Sequence, residues 1–390
     1  MRFVVRGVAV IRSIILARLL DPTGFGLFGV AVMAVSFLEL MTETGINVFF
    51  LQKKDIEKYL DTAWFVSVVR GVLITLLLIF TSGPISEFFN SPQARGMLLL
   101  ISLTPLIRGF INRSIIKFQK ELEFDREFML RAILTMIETL LMIYFSWKLT
   151  NPVGLVWAML LTALFEVGIS YVFIKPWPKQ GFVWSQFREI IGHGKWVAGF
   201  GILDYIFTQG DNVVVGRMLG AAPLGIYRLS YTLSTLPLTE ISDVFYKVAF
   251  PTLSKMISEK KDTKRVIKIV VTSICILATV AGITIWWGSQ YLVLLLGQKW
   301  VTAIEVIKIL AFLGIVRSVS FSFNSVFLAY GKQKYVTLIL LTSVVGLLTT
   351  IVPLVQRFGL VGAGYSAIIG ATLSLPVAVI LFGRTLNGLR

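Results

Sequence analysis

The sequence predicts an all-α polytopic membrane protein of about twelve transmembrane helices, arranged as two six-helix bundles. Three observations predict it. The 390-residue chain is 56% hydrophobic and only 15% charged, whereas a soluble globular protein carries about 25% charged residues. Its apolar residues fall in long blocks, among them 27–38, 71–80, 153–163 and 267–287. A bilayer core takes roughly 20 such residues per helix, and barrel strands would instead alternate over about ten. Finally, one motif is written twice, half a chain apart.

The blocks divide into spans at about 3–17, 27–50, 62–82, 94–115, 128–147, 153–175, 195–215, 225–247, 266–288, 301–329, 335–355 and 360–384. Span one, in "MRFVVRGVAVIRSIILARLL", is short and carries Arg6 and Arg12. Arg12 interrupts its apolar stretch and no good cleavage site follows, so it reads as a retained helix with a shortened start, not a signal peptide. Connection charge tests the division. The N-terminus and every second connection hold Arg2; Lys53, Lys54 and Lys58; Lys117, Lys120 and Arg126; Lys179 and Arg188; Lys255, Lys260, Lys261, Lys264 and Arg265; Lys332; and Arg390. The others hold one cation each: Arg18, Arg95, Lys148, Arg217, Lys299 and Arg357. This alternation predicts an even number of spans with both termini cytoplasmic. It also accounts for the net charge of +16 without nucleic acid.

The connection "KPWPKQGFVWSQFREIIGHGKW" (Lys175–Trp196) intersperses aromatic and basic residues. It suits a segment lying in the cytoplasmic interface. The expected domains are therefore a bundle over 1–175, a linker over 176–194 and a bundle over 195–390. The single cysteine, Cys275, excludes a disulfide framework. The single histidine, His193, has no Cys or His companions, so no metal site is expected. No phosphate-cradling G-x-x-x-x-G-K-[ST] motif occurs. No cofactor and no catalytic residue is expected.

The repeated motif is "ARLLDPTGFGLFGVA" (Ala17–Ala31), which aligns with "GRMLGAAPLGIYRLS" (Gly216–Ser230). Arg18 meets Arg217 and Gly26 meets Gly225. The copies end spans one and seven. An offset of six spans puts both on one side of the membrane, the mark of a parallel repeat. Gly24 and Gly26, or Pro223 and Gly225, are expected to form a tight outer turn.

The stretch "LARLLDPTGFGLFGVAVMAVSFLELMTETGINVFFLQKKD" resembles the start of the polysaccharide biosynthesis family. These are Wzx-type exporters of lipid-linked oligosaccharide in the multidrug/oligosaccharidyl-lipid/polysaccharide (MOP) superfamily. "GDNVVVGRMLGAAPLGIYRLSYTLSTLP", "VFYKVAFPTLSKM", "GQKWVTAIEVIKILA" and "LAYGKQKYVTLI" agree, in the manner of the colanic-acid-exporter branch. The resemblance implies a V-shaped, alternating-access fold in the cytoplasmic membrane. It implies a secondary transporter, not an enzyme. The implied cargo is an undecaprenyl-diphosphate-linked oligosaccharide flipped to the outer leaflet, with a polysaccharide polymerase and glycosyltransferases as neighbours. Alternatives are a cation-coupled multidrug exporter of the same superfamily and a lipid II flippase. A membrane-embedded glycosyltransferase or polymerase would need a substantial external loop, and all are short.

Ionisable groups at membrane depth face a cavity or a partner. They include Arg12, Glu39, Arg70, Arg108, Arg131, Glu138, Glu166, Asp204, Asp211, Glu240, Asp243 and Arg317. A diphosphate cargo selects arginine, whose fork matches phosphate oxygens. Arg12, Arg70 and Arg317 lie mid-span. Ser320 and Asn324, beside Arg317, add sugar-binding polarity. The competing reading pairs each arginine with a carboxylate such as Glu138 or Asp211. Asp204 and Asp211, seven apart, share a helical face and are ion-coupling candidates.

Overall fold

A computed structural model describes residues 2–53, 55–179, 181–259 and 261–387. Lys54, Lys260 and Arg390, and the side chains of Arg2, Arg6, His193 and Lys195, lie outside the described residues. All regular structure among the described residues is helical. In chain order the helices are α1 (Arg2–Leu19), α2 (Pro22–Met41), α3 (Ile46–Gln52), α4 (Glu57–Phe88), α5 (Ala94–Ile101) and α6 (Leu103–Gly109). A 3₁₀ turn (Arg113–Ile116) leads into α7 (Lys117–Lys120), α8 (Phe124–Leu149), α9 (Val153–Phe173), α10 (Trp184–Leu219) and α11 (Ala221–Ser258). Then follow α12 (Lys264–Leu296), α13 (Ala303–Ala329) and α14 (Gln333–Asn387).

Seven helices among the described residues are long and apolar enough to cross a membrane: α2, α4, α8, α9, α12, α13 and α14. The bent pair 94–109 and 113–120 makes an eighth if it is one span. Outside this set are α1, with Arg6 and Arg12, and α10 and α11, through which Ser, Thr, Tyr and ionisable residues are spread. α14 is two helices meeting at Gly359, whose φ of 58° and ψ of −133° are not helical. That conformation is open to glycine and costly to other residues. The break falls between the expected spans 335–355 and 360–384.

Helix starts and stops have local causes. Asp21 caps α2, accepting the Gly24 N–H at 2.8 Å, with Pro22 in the first turn, where its missing N–H costs nothing. The helices group into two compact units. The first comprises Met1–Ile202 with Gly220–Ala222, and the second Leu203–Leu219 with Pro223–Arg390. In the first, α8 packs on α9 and α1, and α4 on α5 and α6. Leu16, Leu20, Met142, Leu155 and Ala158 form one of its cores. In the second, α13 packs between α12 and α14, around Phe323, Phe327, Ile339, Ala378 and Leu381. Large apolar side chains also point outward. Phe80, Phe173, Trp287 and Leu294 are 72–77% exposed. Water would penalise that surface by about 25 cal/mol per Å²; hydrocarbon does not.

The outer-turn expectation acquires a partner here. A side chain on Gly24 would meet Asp21 Oδ1 and Pro152 at 3.0–3.3 Å. On Gly26 it would overlap the carbonyl of Ala221, which sits in the second copy of the motif and clusters with the first unit. Gly26 is thus small for the sake of the other copy's backbone. Gly225 is buried in α11, and Arg18 and Arg217 border the turns.

Candidate functional site

In the first unit, α4 and α6 approach closely because glycines face backbone. A Cβ on Gly71 would lie 2.5 Å from the Pro105 carbonyl oxygen, and one on Gly109 would lie 2.9 Å from that of Ser67. Beyond Gly109 the chain breaks, and the segments 94–109 and 113–120 meet at 71°. The break leaves backbone groups without helical partners, and in a membrane these must be satisfied internally. Asn112 does this: it is fully buried, its N–H bonds Ser170 Oγ at 3.1 Å, and its Nδ2 donates to Ile174 O at 2.9 Å and Pro176 O at 3.2 Å.

The outcome is a cavity of about 380 Å³ lined by Arg70 from α4, Arg108 from α6, Arg113 from the 3₁₀ turn, Ser36 and Glu39 from the end of α2, and Glu43 just beyond that end. The three guanidiniums are not equivalent. Arg70 is taken up by the C-terminal end of α2. Its Nε donates to Thr42 Oγ1 at 3.1 Å, and its Nη2 to the Glu39 carbonyl and, at 3.3 Å, to Glu43 Oε2. A cation there satisfies free carbonyls and complements the helix dipole. Arg108 pairs with Glu166 of α9 at 3.3 Å. Arg113 enters no ion pair among the described residues, and its buried Nε has no hydrogen-bond partner. Sequence reasoning passed over Arg113 because it falls at the end of an expected span. The available signal was Gly109 and Asn112 interrupting an otherwise apolar block.

The second unit holds its own buried polar cluster. Arg317 on α13 is 3% exposed. Its Nη1 donates to Tyr231 Oη at 2.7 Å and its Nη2 to Phe207 O at 3.1 Å. The guanidinium lies 4.3 Å from the centre of the Phe207 ring. Asp211 is fully buried and accepts from Tyr227 Oη at 2.9 Å and from the Asn212 N–H at 2.8 Å. No ion pair joins Arg317 to a carboxylate among the described residues. Asp204, on the same helix as Asp211, is exposed, so the two acids have different surroundings despite their spacing. Ser320 and Asn324 are half-buried, and Asn324 Oδ1 is buried without a partner. Back in the first unit, Arg12 pairs with Glu138 at 3.1 Å, the competing reading for that residue.

Comparison with known proteins agrees with this architecture. The model of the polysaccharide biosynthesis protein family matches residues 15–305. The lipopolysaccharide biosynthesis protein WzxC of Escherichia coli (strain K12) is 24% identical over 340 residues, 84% of this chain and 68% of that protein. The teichuronic acid biosynthesis protein TuaB of Bacillus subtilis (strain 168) is 24% identical over 76% of this chain and 62% of its own length. Among solved structures, the lipid II flippase MurJ in an inward closed conformation superposes with a TM-score of 0.79 at 13% identity, covering 98% of this chain and 86% of that one. Its fold, shared at that identity, accounts for the paired helical units. With three quarters of its length inside the family model, the chain belongs to the polysaccharide biosynthesis protein family.

Proposed function

We propose that this protein is a flippase. It moves polyprenyl-diphosphate-linked oligosaccharide repeat units from the inner to the outer leaflet of the cytoplasmic membrane, for assembly of a surface polysaccharide. It does so as a secondary transporter of twelve spans, with two six-helix bundles and both termini in the cytoplasm. Membership of the family and the roles of WzxC in lipopolysaccharide biosynthesis and of TuaB in teichuronic acid biosynthesis support the cargo class. Glycosyltransferases and a polymerase are its functional neighbours.

The observation that carries the reading is Arg113. A charge at membrane depth costs at least about 2.5 kcal/mol on insertion scales. Arg70 and Arg108 offset that cost with Glu43 and Glu166. Among the described residues Arg113 makes no ion pair, and it borders a polar cavity at a broken helix, the feature that marks substrate sites in transporters. A diphosphate supplies the missing anion. Arg108 assists, its paired Glu166 being displaceable by the stronger anion. Arg317 serves the second unit, releasing Tyr231 to meet the cargo, while Ser320 and Asn324 offer hydroxyl and amide partners to the sugars. Asp204 and Asp211 are assigned to ion coupling. Arg12 and Arg70 are assigned to holding helices together.

The test is complementation. Arg113→Ala, expressed in a strain lacking its own flippase, should accumulate normally in the membrane and fail to restore surface polysaccharide. Arg113→Lys should restore part of it, because charge survives and the fork does not. Normal export from the alanine variant would remove Arg113 from the cargo site.

A further inference from the structure

Asn112 does more than satisfy a broken helix. Its side chain has two donor hydrogens and one acceptor oxygen, and all three are used. Nδ2 faces the carbonyls of Ile174 at 2.9 Å, Pro176 at 3.2 Å and Ser170 at 3.4 Å. Oδ1 accepts the Ser114 N–H at 3.0 Å. Ser114 Oγ adds a bond to Pro176 O at 2.8 Å. Asn112 and Ser114 are fully buried, and Ser170 is 1% exposed. The residues on both sides of Arg113 are therefore tied to the end of α9 and the chain that follows it. Arg113 itself is not tied, and its Nε has no partner. A side chain of Arg with both neighbours fixed keeps only its own torsions, and these open toward the cavity it lines.

We propose that Asn112 is a positioning residue: it clamps the break between α6 and the 3₁₀ turn to the 170–176 segment, and so holds Arg113 at the cavity. This rests on the reading of Arg113 as the cargo cation. The clamp predicts that loss of Asn112 moves residue 113 out of the cavity without emptying the cavity of its other walls. It acts through a neighbour and never touches cargo.

The test reads geometry, not transport. In a Cys275→Ser background, which removes the native thiol, Arg113→Cys and Ser36→Cys each place one thiol on the cavity wall. A small water-soluble methanethiosulfonate is added to inverted membrane vesicles. Adding Asn112→Ala, which removes the bonds of both Nδ2 and Oδ1, should lower labelling of the Arg113→Cys thiol at least about tenfold, since each lost buried hydrogen bond shifts a population by roughly threefold to tenfold. The Ser36→Cys thiol, on α2 and sharing no partner with Asn112, should change by less than about twofold. Ser114→Ala, losing one bond of the clamp, should lower labelling at 113 by a smaller factor. Equal labelling at 113 with and without Asn112 overturns the clamp, as does a parallel fall at both positions. If Asn112→Ala does not accumulate, Ser114→Ala and Ser170→Ala decide, and unchanged labelling at 113 in both makes Asn112 a folding residue only. Labelling is independent of cargo. Labelling as expected with normal export from Arg113→Ala would keep the clamp and sink the cargo reading; the reverse pattern would do the opposite.

Discussion

Arg113 and Arg317 fall in the fourth and tenth expected spans, which a six-span repeat pairs, one at the end of its span and the other in the middle, and their surroundings are opposite. Arg317 sits on α13, an uninterrupted 27-residue helix, and is enclosed by Tyr231, the Phe207 carbonyl and the Phe207 ring. Arg113 sits where its helix has broken, and its guanidinium is met by a cavity. A continuous helix surrounds its side chains with other helices and gives a cation neutral partners. A broken one spends its neighbours on backbone repair and leaves the cation for something else. The two units thus place an arginine differently, once enclosed by neutral partners and once on the wall of a polar cavity.

The comparison breaks most sharply on Arg113→Ala. A hydrogen bond to a charged group contributes about 1.5–3 kcal/mol, so losing the cargo contact should cut export by roughly ten- to a hundredfold or more. Membrane accumulation and thermal stability should hold, because no ion pair among the described residues is abandoned. Quantifying surface polysaccharide beside an immunoblot of the membrane fraction separates the two. A variant that falls below detection on the blot would place Arg113 with the enclosed arginines.

Arg70→Ala should act in the opposite sense, on stability first. It strips the end of α2 of three acceptor contacts and leaves Glu43 without its cation. Breaking a fully buried pair costs about 3–5 kcal/mol. Here the side chains are 20% and 30% exposed, so about 1–3 kcal/mol is expected. The melting temperature in detergent should drop, and Glu43→Gln made in the same chain should recover part of it. No recovery would mean that the carbonyl contacts, not the carboxylate, make Arg70 necessary. Arg317→Ala, losing two hydrogen bonds from a charged group, should cost about 3 kcal/mol or more, with export falling too. Lost export at an unchanged melting temperature would make Arg317 a cargo residue as free as Arg113.

How much of this could be read without coordinates varies by residue. The break at Gly359 was legible because a glycine separates two apolar blocks. The Arg12 and Glu138 pair was legible as one of two readings, since charge pairing needs only complementary residues at similar depth. The break after Gly109 was not. Hydropathy averages over a window, and 94–115 averages as one apolar block whether straight or bent by 71°. What bends it is a long-range bond set between Asn112 and residues about sixty positions away, invisible to local pattern. The enclosure of Arg317 failed to show for a like reason. Its partners Phe207 and Tyr231 lie on other helices, and aromatic residues are ordinary in any span. Asp204 and Asp211 shared a face on the helical wheel, but Asp211 is buried against Tyr227 of α11 while Asp204 is exposed.

A third kind of cation completes the comparison, and it should give the smallest effect. Lys53, between α3 and α4, is held by Glu189 of α10, which also accepts from Tyr59 Oη at 2.9 Å. The hydrogen bond to Glu189 raises the Lys53 ammonium above its usual value. A lysine raised on folding contributes stability that is fully present below its unfolded pKa and is lost only as pH climbs through the higher folded one. That window lies above about pH 10. From pH 6 to 9 the Lys53 contact should therefore add no slope to stability. Melting curves of the parent and Lys53→Met should run parallel across that range and converge only in stronger alkali. The offset between them should be small, since partly exposed pairs contribute little and weaken further in salt. Curves that diverge between pH 6 and 9 would mean that Glu189, not Lys53, titrates there, and that the contact between α10 and the start of α4 depends on the acid's charge.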